Sequence, residues 1–294
     1  MFVDDPLVNC PDDSNVIWRY LSLGKFLSML TTKSLWFARI RLFEDAYEGT
    51  MSVSAIEKFL ESQKFVAKGD SLKLQVQLLG AMNAISRQYG FANCWHLSNC
   101  ESDAFWRIYG GEAIAIQFSI GHLKASFHAD DSREVKIGAV TYVQNPERDI
   151  VASQTKNAVI LTKRTVFEYE REVRAFSFVI PPLPSYETGE LWEAAVKHAE
   201  VILAENVPAG QKFDVDLQTL VQRVYIAPSQ PSWFKEMLET MMIQSGFGSP
   251  MVIQSSVGQR PEYWRHSDDL IRNQELHQKN FVKLMERFGG PDKS

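Results

Sequence analysis

Residues 168–174, EYEREVR, place three glutamates and two arginines in seven positions, directly before the apolar run AFSFVI and Pro181-Pro182. Two conformations are open to this stretch. As a helix, Glu170 and Arg174 form an i,i+4 pair on a solvated face. As a strand, Glu170, Glu172 and Arg174 point to one side, with about 6.7 Å between successive same-face residues. The Phe, Val and Ile that follow suit a buried sheet and favour the strand. A strand that starts acidic and continues apolar sets carboxylates at the rim of a core. There they either act on a ligand or close an ion-pair network.

Arg19 raises a related question. It lies inside the apolar stretch VIWRYL, between Trp18 and Tyr20. A guanidinium in a core strand must pair with a carboxylate or reach an anion. Asp45 and Glu48 are the candidate partners for a buried salt bridge, and a phosphate clamp is the other use. Neither GxxxxGK[ST] nor a GxGxxG following a strand is present.

CWHLSNCES (94–102) brings together Cys94, His96 and Cys100. The spacing C-x-H-x3-C matches no common zinc pattern, so no metal site is expected and Cys94 reads as core. Ser98 and Ser102 sit where a strand turns into a helix, a place where hydroxyls cap. No GxSxG elbow marks a nucleophilic serine. Trp106 and Tyr109, at i,i+3, share one face of a short helix. They either pack the core or wall a cleft that stacks flat rings.

The elements that must carry these residues can be read from periodicity and punctuation. Strands are expected at 16–21, 34–40, 91–98, 112–119, 133–143, 221–228 and 250–255. Helices are expected at 22–32, 51–66, 71–88, 101–109, 190–206, 231–245 and 267–288, and a polar helical stretch at 146–165. Residues 41–50 read as a loop. Strands and helices mix without strict alternation, which gives an α+β class with a mixed or split central sheet and surrounding helices. No Gly/Ser linker divides the chain, so residues 1–294 read as a single domain, with a core over 16–180 and a strand–helix extension over 181–294. The helices at 190–206 and 267–288 are free to complete the core, form a homodimer or hold a partner.

Composition narrows the class. With 45% hydrophobic and 23% charged residues over 294 positions, the chain can bury a substantial core. The net charge of −5 argues against non-specific binding to nucleic acid or an anionic membrane. No apolar run approaches the roughly 20 residues that span a bilayer. The opening MFVDDPLVNCPDD lacks the basic and apolar regions of a signal peptide, and three cysteines make no disulfide framework. A cytoplasmic protein is expected.

The order of motifs carries a resemblance. WRYLSLGKFLSML, LWFARIRLFEDAYEG, NCWHLSNCESDAFWRIYGGEAIAIQF, VTYV and KRTVFEYEREVRAF resemble the bacterial family called domain of unknown function 2971, over roughly residues 16–180. A remoter resemblance is to the arginine–serine–glutamate group of ADP-ribosyltransferases. It runs through an arginine on an early strand, a strand ending in serine, a helix carrying Ala104 and Phe105, and a late E-x-E-V. The usual S-T-S is H-L-S here. This second resemblance implies an ADP-ribosyltransferase-like fold with NAD as substrate, bound in a cleft between two half-sheets. It implies Glu172 as the catalytic glutamate and Glu170 as the residue that takes the acceptor's proton. It also implies Arg19, with Tyr20 beside it, on the pyrophosphate, and Ser98 near the ribose. Ring chemistry adds Trp106 or Tyr109 beside the nicotinamide. The products are a transferred ADP-ribose on a macromolecular acceptor or hydrolysed NAD, a chemistry that suits a bacterial toxin or phage-defence effector. The rival is a non-catalytic binding module in which EYEREVR is only an ion-pair network.

Overall fold

The computed structural model describes residues 1–63, 70–110, 112–145, 156–181, 191–249, 251–258 and 267–287. Within the span read as one domain, the chain forms two compact units, Met1–Ser255 and Ser256–Ser294. The elements of the first unit up to the candidate site are β1 (Val16–Ser22), α1 (Leu23–Thr32), β2 (Ser34–Arg39), α2 (Val53–Gln63), α3 (Asp70–Tyr89), β3 (Gly90–Leu97), α4 (Asp103–Tyr109) and β4 (Ala113–Ser119). They continue as α5 (Ile120–Ser126), β5 (Lys136–Ala139), β6 (Thr141–Val143), α6 (Lys156–Ile160), β7 (Thr162–Arg164) and β8 (Glu172–Phe178). The remainder is α7 (Leu191–Ala204), β9 (Gly210–Asp214), α8 (Leu217–Leu220), β10 (Arg223–Ile226), α9 (Ser232–Gln244) and β11 (Val252–Gln254). The second unit contains α10 (Ser267–Arg287), whose Leu276, Phe281, Val282 and Leu284 are exposed.

The local chemistry explains the boundaries near the site. The Ser22 hydroxyl accepts from the Lys25 N–H at 3.4 Å and starts α1, which buries Phe26, Met29 and Leu30 at i, i+3 and i+4. Ser102 caps α4 in the same way, accepting from the Phe105 N–H at 3.4 Å. β4 and β8 are buried along almost their whole length, as expected of strands with neighbours on both edges and cover on both faces.

Among the described residues nine strands form one mixed sheet, with the path β11-β10-β4-β1-β3-β2-β9 and β8 and β5 branching from β3. The class is α+β, as expected. Several spans differ from the sequence reading. The strand over 133–143 is two short strands, because Ala139 ends one pairing and Thr141 begins another with β7. Of the helical stretch over 146–165, residues 146–155 lie outside the described residues, only Lys156–Ile160 is helix, and Thr162–Arg164 is strand. α5 and β9 have no counterpart in the sequence reading.

The feature that matters for function is a break in the sheet. β8 occupies one edge of β3 along its length, from Gly90↔Phe178 to His96↔Glu172. On the other edge β2 pairs only with Phe91 and Ala92, and β1 only with His96 and Leu97. Asn93, Cys94 and Trp95 are left between two strands that diverge. Continuing the β1 register by one step sets Arg19 opposite Trp95, at the mouth of the break. The main apolar core, with Ile17, Phe26, Phe37, Trp95, Phe118 and Phe213, packs around this seam. No helix among the described residues is long and apolar enough to cross a membrane.

Candidate functional site

Two cavities meet at the break. The larger is about 480 Å³ and is lined by residues of β1, α1, β2 and β3, including Ser28, Trp36 and Asn93. The smaller is about 90 Å³ and is lined by Trp18, Trp95, His96, Phe105, Glu170 and Glu172 among others. Arg19, Tyr20, Cys94 and Tyr109 line both. The two ends differ in charge. The larger carries Arg19, Lys25 and Lys212 and no carboxylate, although the chain is acidic overall. The smaller carries both glutamates of EYEREVR.

Arg19 is the most informative residue. Its guanidinium lies 5.1 Å from the Trp95 ring centroid, a cation–π contact. Its Nη1 is buried without a hydrogen-bond partner among the described residues. The carboxylates that could have paired with it are engaged elsewhere. Asp45 bonds Arg164 at 3.0 Å, and Glu48 bonds Arg174 and, at 3.4 Å, Lys163. Burial consequently weakens the guanidinium's hold on its proton. Two further buried polar atoms at the break, Asn93 Oδ1 and Trp95 Nε1, also have no hydrogen-bond partner among the described residues, although the other Asn93 amide atom donates to the Trp36 carbonyl at 2.8 Å. Unmatched buried polar groups are rare and costly, and here three of them lie around the break.

The two glutamates arrive by a different route from the one the sequence suggests. The strand begins at Glu172, and Glu170 ends a 3-10 turn over Thr165–Glu170. Arg171 between them takes a left-handed φ of 41°. They are therefore not alternate residues of one strand, yet both reach Lys163 Nζ, at 2.6 Å from Glu170 and 3.2 Å from Glu172. Glu172 and Arg174 do share a face. Arg174, fully buried, donates from Nε and Nη2 to the two Glu172 oxygens, each at 2.9 Å, and from Nη1 to the Ile160 carbonyl at 2.6 Å. The ion-pair network and the cavity lining thus coexist in the same residues.

This environment separates the two carboxyls. Burial opposes ionisation of Glu172, but the charge and hydrogen bonds of Arg174, aided by Lys163, outweigh it and hold the carboxyl down to about 2. At Glu170 burial outweighs the Lys163 bond and pushes the carboxyl up. Burial also raises Tyr20, Tyr109 and Cys94, while the Cys94 thiol faces Glu172. The His96 ring lies 4.7 Å from Phe105, tilted by 45°, with Nδ1 2.6 Å from the Glu170 carbonyl. Tyr20 stacks between Phe105 and Tyr109, at 5.1 and 6.2 Å, and its hydroxyl accepts from the Ser102 N–H at 2.7 Å.

Of the residues singled out from sequence, Arg19, Tyr20, Tyr109, Glu170 and Glu172 come together. Ser98 and Trp106 line neither cavity. The Ser98 hydroxyl is spent within its own turn, donating to the Cys100 carbonyl at 2.8 Å and accepting from the Cys100 N–H at 3.2 Å. Trp106 is buried beneath Tyr20, edge-on at 5.0 Å, and donates to Glu101 at 2.9 Å. Residues at the break that the sequence reading missed are Asn93 and Trp95. A polar Asn in the apolar run FANCW was the available signal. Among the described residues no group of three or more His, Cys, Asp or Glu side chains is arranged to hold a metal ion.

The fold and this geometry define an α+β protein with a cleft at a break in its sheet, cationic at one end and acidic at the other. Residues 105–175, which run from α4 to the middle of β8, match the family described as Protein of unknown function (DUF2971). No curated protein and no solved structure matches the chain.

Proposed function

We propose that this chain binds NAD at the break in the sheet and cleaves the bond between nicotinamide and ribose, passing ADP-ribose to an acceptor or to water. One observation carries the reading: a guanidinium on a core strand, without a carboxylate partner among the described residues, lines a cleft that also receives two carboxylates, one drawn down by Arg174 and the other pushed up by burial. Cleaving an N-glycosidic bond builds positive charge on the ribose and releases a neutral base. It therefore calls for a fixed anion at the sugar and fixed cations at the phosphates. Glu172, ionised far below neutral pH, supplies the first. Arg19, whose planar fork suits phosphate oxygens, supplies the second, with Lys25 and Lys212 adding to the field. Glu170 stands on the acceptor side, with Oε2 held by Lys163. Tyr109, half outside and stacked on Tyr20, offers a flat face for the nicotinamide. The two cavities together fall within the hundreds of Å³ usual for ligand sites. Ser98 and Trp106 have no part in this reading.

The test is incubation with NAD labelled in the adenylate half, with and without cell extract. Release of nicotinamide is expected, together with free ADP-ribose or labelled macromolecule. Expression in bacteria is then expected to lower cellular NAD and arrest growth, which is the behaviour of a toxin or phage-defence effector. Absence of nicotinamide release under all conditions refutes the enzyme. A second reading, a non-catalytic binding module, is favoured by a specific observation: both Glu172 oxygens already accept from Arg174. On that reading NAD or a phosphorylated ligand protects the protein against unfolding but is recovered intact.

A further inference from the structure

If a hydroxyl is to attack the ribose, some group in the smaller cavity must accept its proton at neutral pH, and the lining allows an elimination. Arg19 has no lone pair to offer. Burial keeps Tyr20, Tyr109 and Cys94 protonated. Glu172 has both oxygens bonded by Arg174 and is too weak a base. Burial pushes the Glu170 carboxyl up, but it lies against Lys163 Nζ at 2.6 Å, and a proton on it would trade that ion pair for a neutral carboxyl's weaker hydrogen bond.

His96 is left. A carbonyl can only accept a hydrogen bond, so Nδ1, at 2.6 Å from the Glu170 carbonyl, carries the ring hydrogen. The neutral ring therefore holds its lone pair on Nε2. Contact with the tilted Phe105 ring and the register His96↔Glu172 fix the ring beside the acidic end of the cleft. Burial, countered by the Glu170 carbonyl and aided by Arg171, pulls the imidazole below its ordinary value of 6.5 and keeps it neutral at pH 7.

We propose that His96 Nε2 is the proton acceptor for the hydroxyl nucleophile in the smaller cavity, an assignment that rests on the NAD reading above. The hydroxyl proton passes to Nε2 as the oxygen bonds to the ribose anomeric carbon. The bond from that carbon to the ring nitrogen breaks, and its electron pair leaves with nicotinamide, which becomes neutral. The imidazolium then returns its proton to solvent.

The experiment is steady-state NAD cleavage between pH 5 and 9 by the wild type, His96→Gln and His96→Ala. Wild-type kcat/KM is expected to fall on the acid side with an apparent pKa below 6.5. His96→Gln keeps a donor for the Glu170 carbonyl. It is expected to lose about 10²–10⁴-fold in kcat with little change in KM, and to lose the acid limb. His96→Ala is expected to recover activity with added imidazoles in the order of their basicity, which a structural role would not produce. Free ADP-ribose identifies water as the nucleophile, and labelled macromolecule identifies an acceptor hydroxyl. Retention of rate and acid limb by the variants overturns the assignment of His96 and leaves the NAD reading in place. A wild-type acid limb with an apparent pKa above 6.5 does the same, and needs no variant to fold. A wild type that cleaves no NAD overturns both.

Discussion

Replacing Arg19 with Met tests the cleft most directly, because the structure predicts opposite signs for stability and for binding. The side chain is long and packed, and Met keeps the stem while removing the charge. A buried donor left unmatched costs roughly 1–3 kcal/mol, and the Trp95 contact returns about 0.5–2 kcal/mol. The ligand-free variant is therefore expected to gain about 1 kcal/mol. For a unit the size of Met1–Ser255 this is a rise in Tm of about 2–4 °C. The same substitution at Arg174 provides the contrast. That guanidinium is fully buried and bonded to Glu48 and Glu172, so its loss leaves carboxylates stranded at about 3–5 kcal/mol. Differential scanning fluorimetry reads both variants, and a titration with NAD or pyrophosphate reads binding. Ligand is expected to raise the Tm of the wild type and not that of Arg19→Met. A Tm that drops by several degrees in Arg19→Met would show that the arginine has a structural partner. A ligand shift preserved in the variant would place the anion grip elsewhere.

Glu172 makes stability depend on pH. Its carboxyl is depressed from an ordinary 4.5 to about 2, so its contribution is present in full above pH 4.5 and fades as pH falls toward 2. That shift is worth roughly 3 kcal/mol, so urea midpoints measured from pH 6 to 2.5 are expected to fall more steeply for the wild type than for Glu172→Gln. Equal slopes would mean the carboxylate is not held by Arg174 and Lys163. Glu172→Gln is also expected to abolish nicotinamide release, since a carboxamide cannot oppose the developing charge. The double reversal Lys25→Glu, Lys212→Glu is expected to weaken NAD binding most at low salt, with the difference from wild type shrinking as salt rises. Binding that is unaffected at low salt would remove both lysines from the cleft.

How far the site could be read from sequence varies residue by residue. Ser22, with Phe26, Leu27 and Leu30 at helical spacing behind it, announces α1 because an N-cap and a helical apolar stripe are local properties, and the structure buries Phe26 and Leu30 together with Met29. AFSFVI announces a buried strand for the same reason. The danger of an arginine inside VIWRYL is also visible locally. Its resolution is not, because Asp45 and Glu48 were as available to Arg19 as to Arg164 and Arg174. Only the packing of β7, β8 and the loop before α2 assigns them to the latter pair. Ser98 reads as a site residue from its place in a motif order, while the structure engages its hydroxyl in the turn closed by Cys100.

The sequence by itself determined the α+β class, most strands and helices, and the types of side chain that could meet a phosphorylated ligand. These follow from periodicity, capping and composition, which act over a few residues. The tertiary structure alone decided that β1 and β2 leave β3 at different points, opening a break at Asn93–Trp95 where Arg19 Nη1 finds no hydrogen-bond partner among the described residues. It also decided that a left-handed Arg171 swings Glu170 off the strand while Lys163 draws it back beside Glu172. The strand registers at the break join residues 52 to 80 positions apart, and the ion pairs of Asp45 and Glu48 reach across more than a hundred; no local rule chooses among the partners that long-range packing makes available.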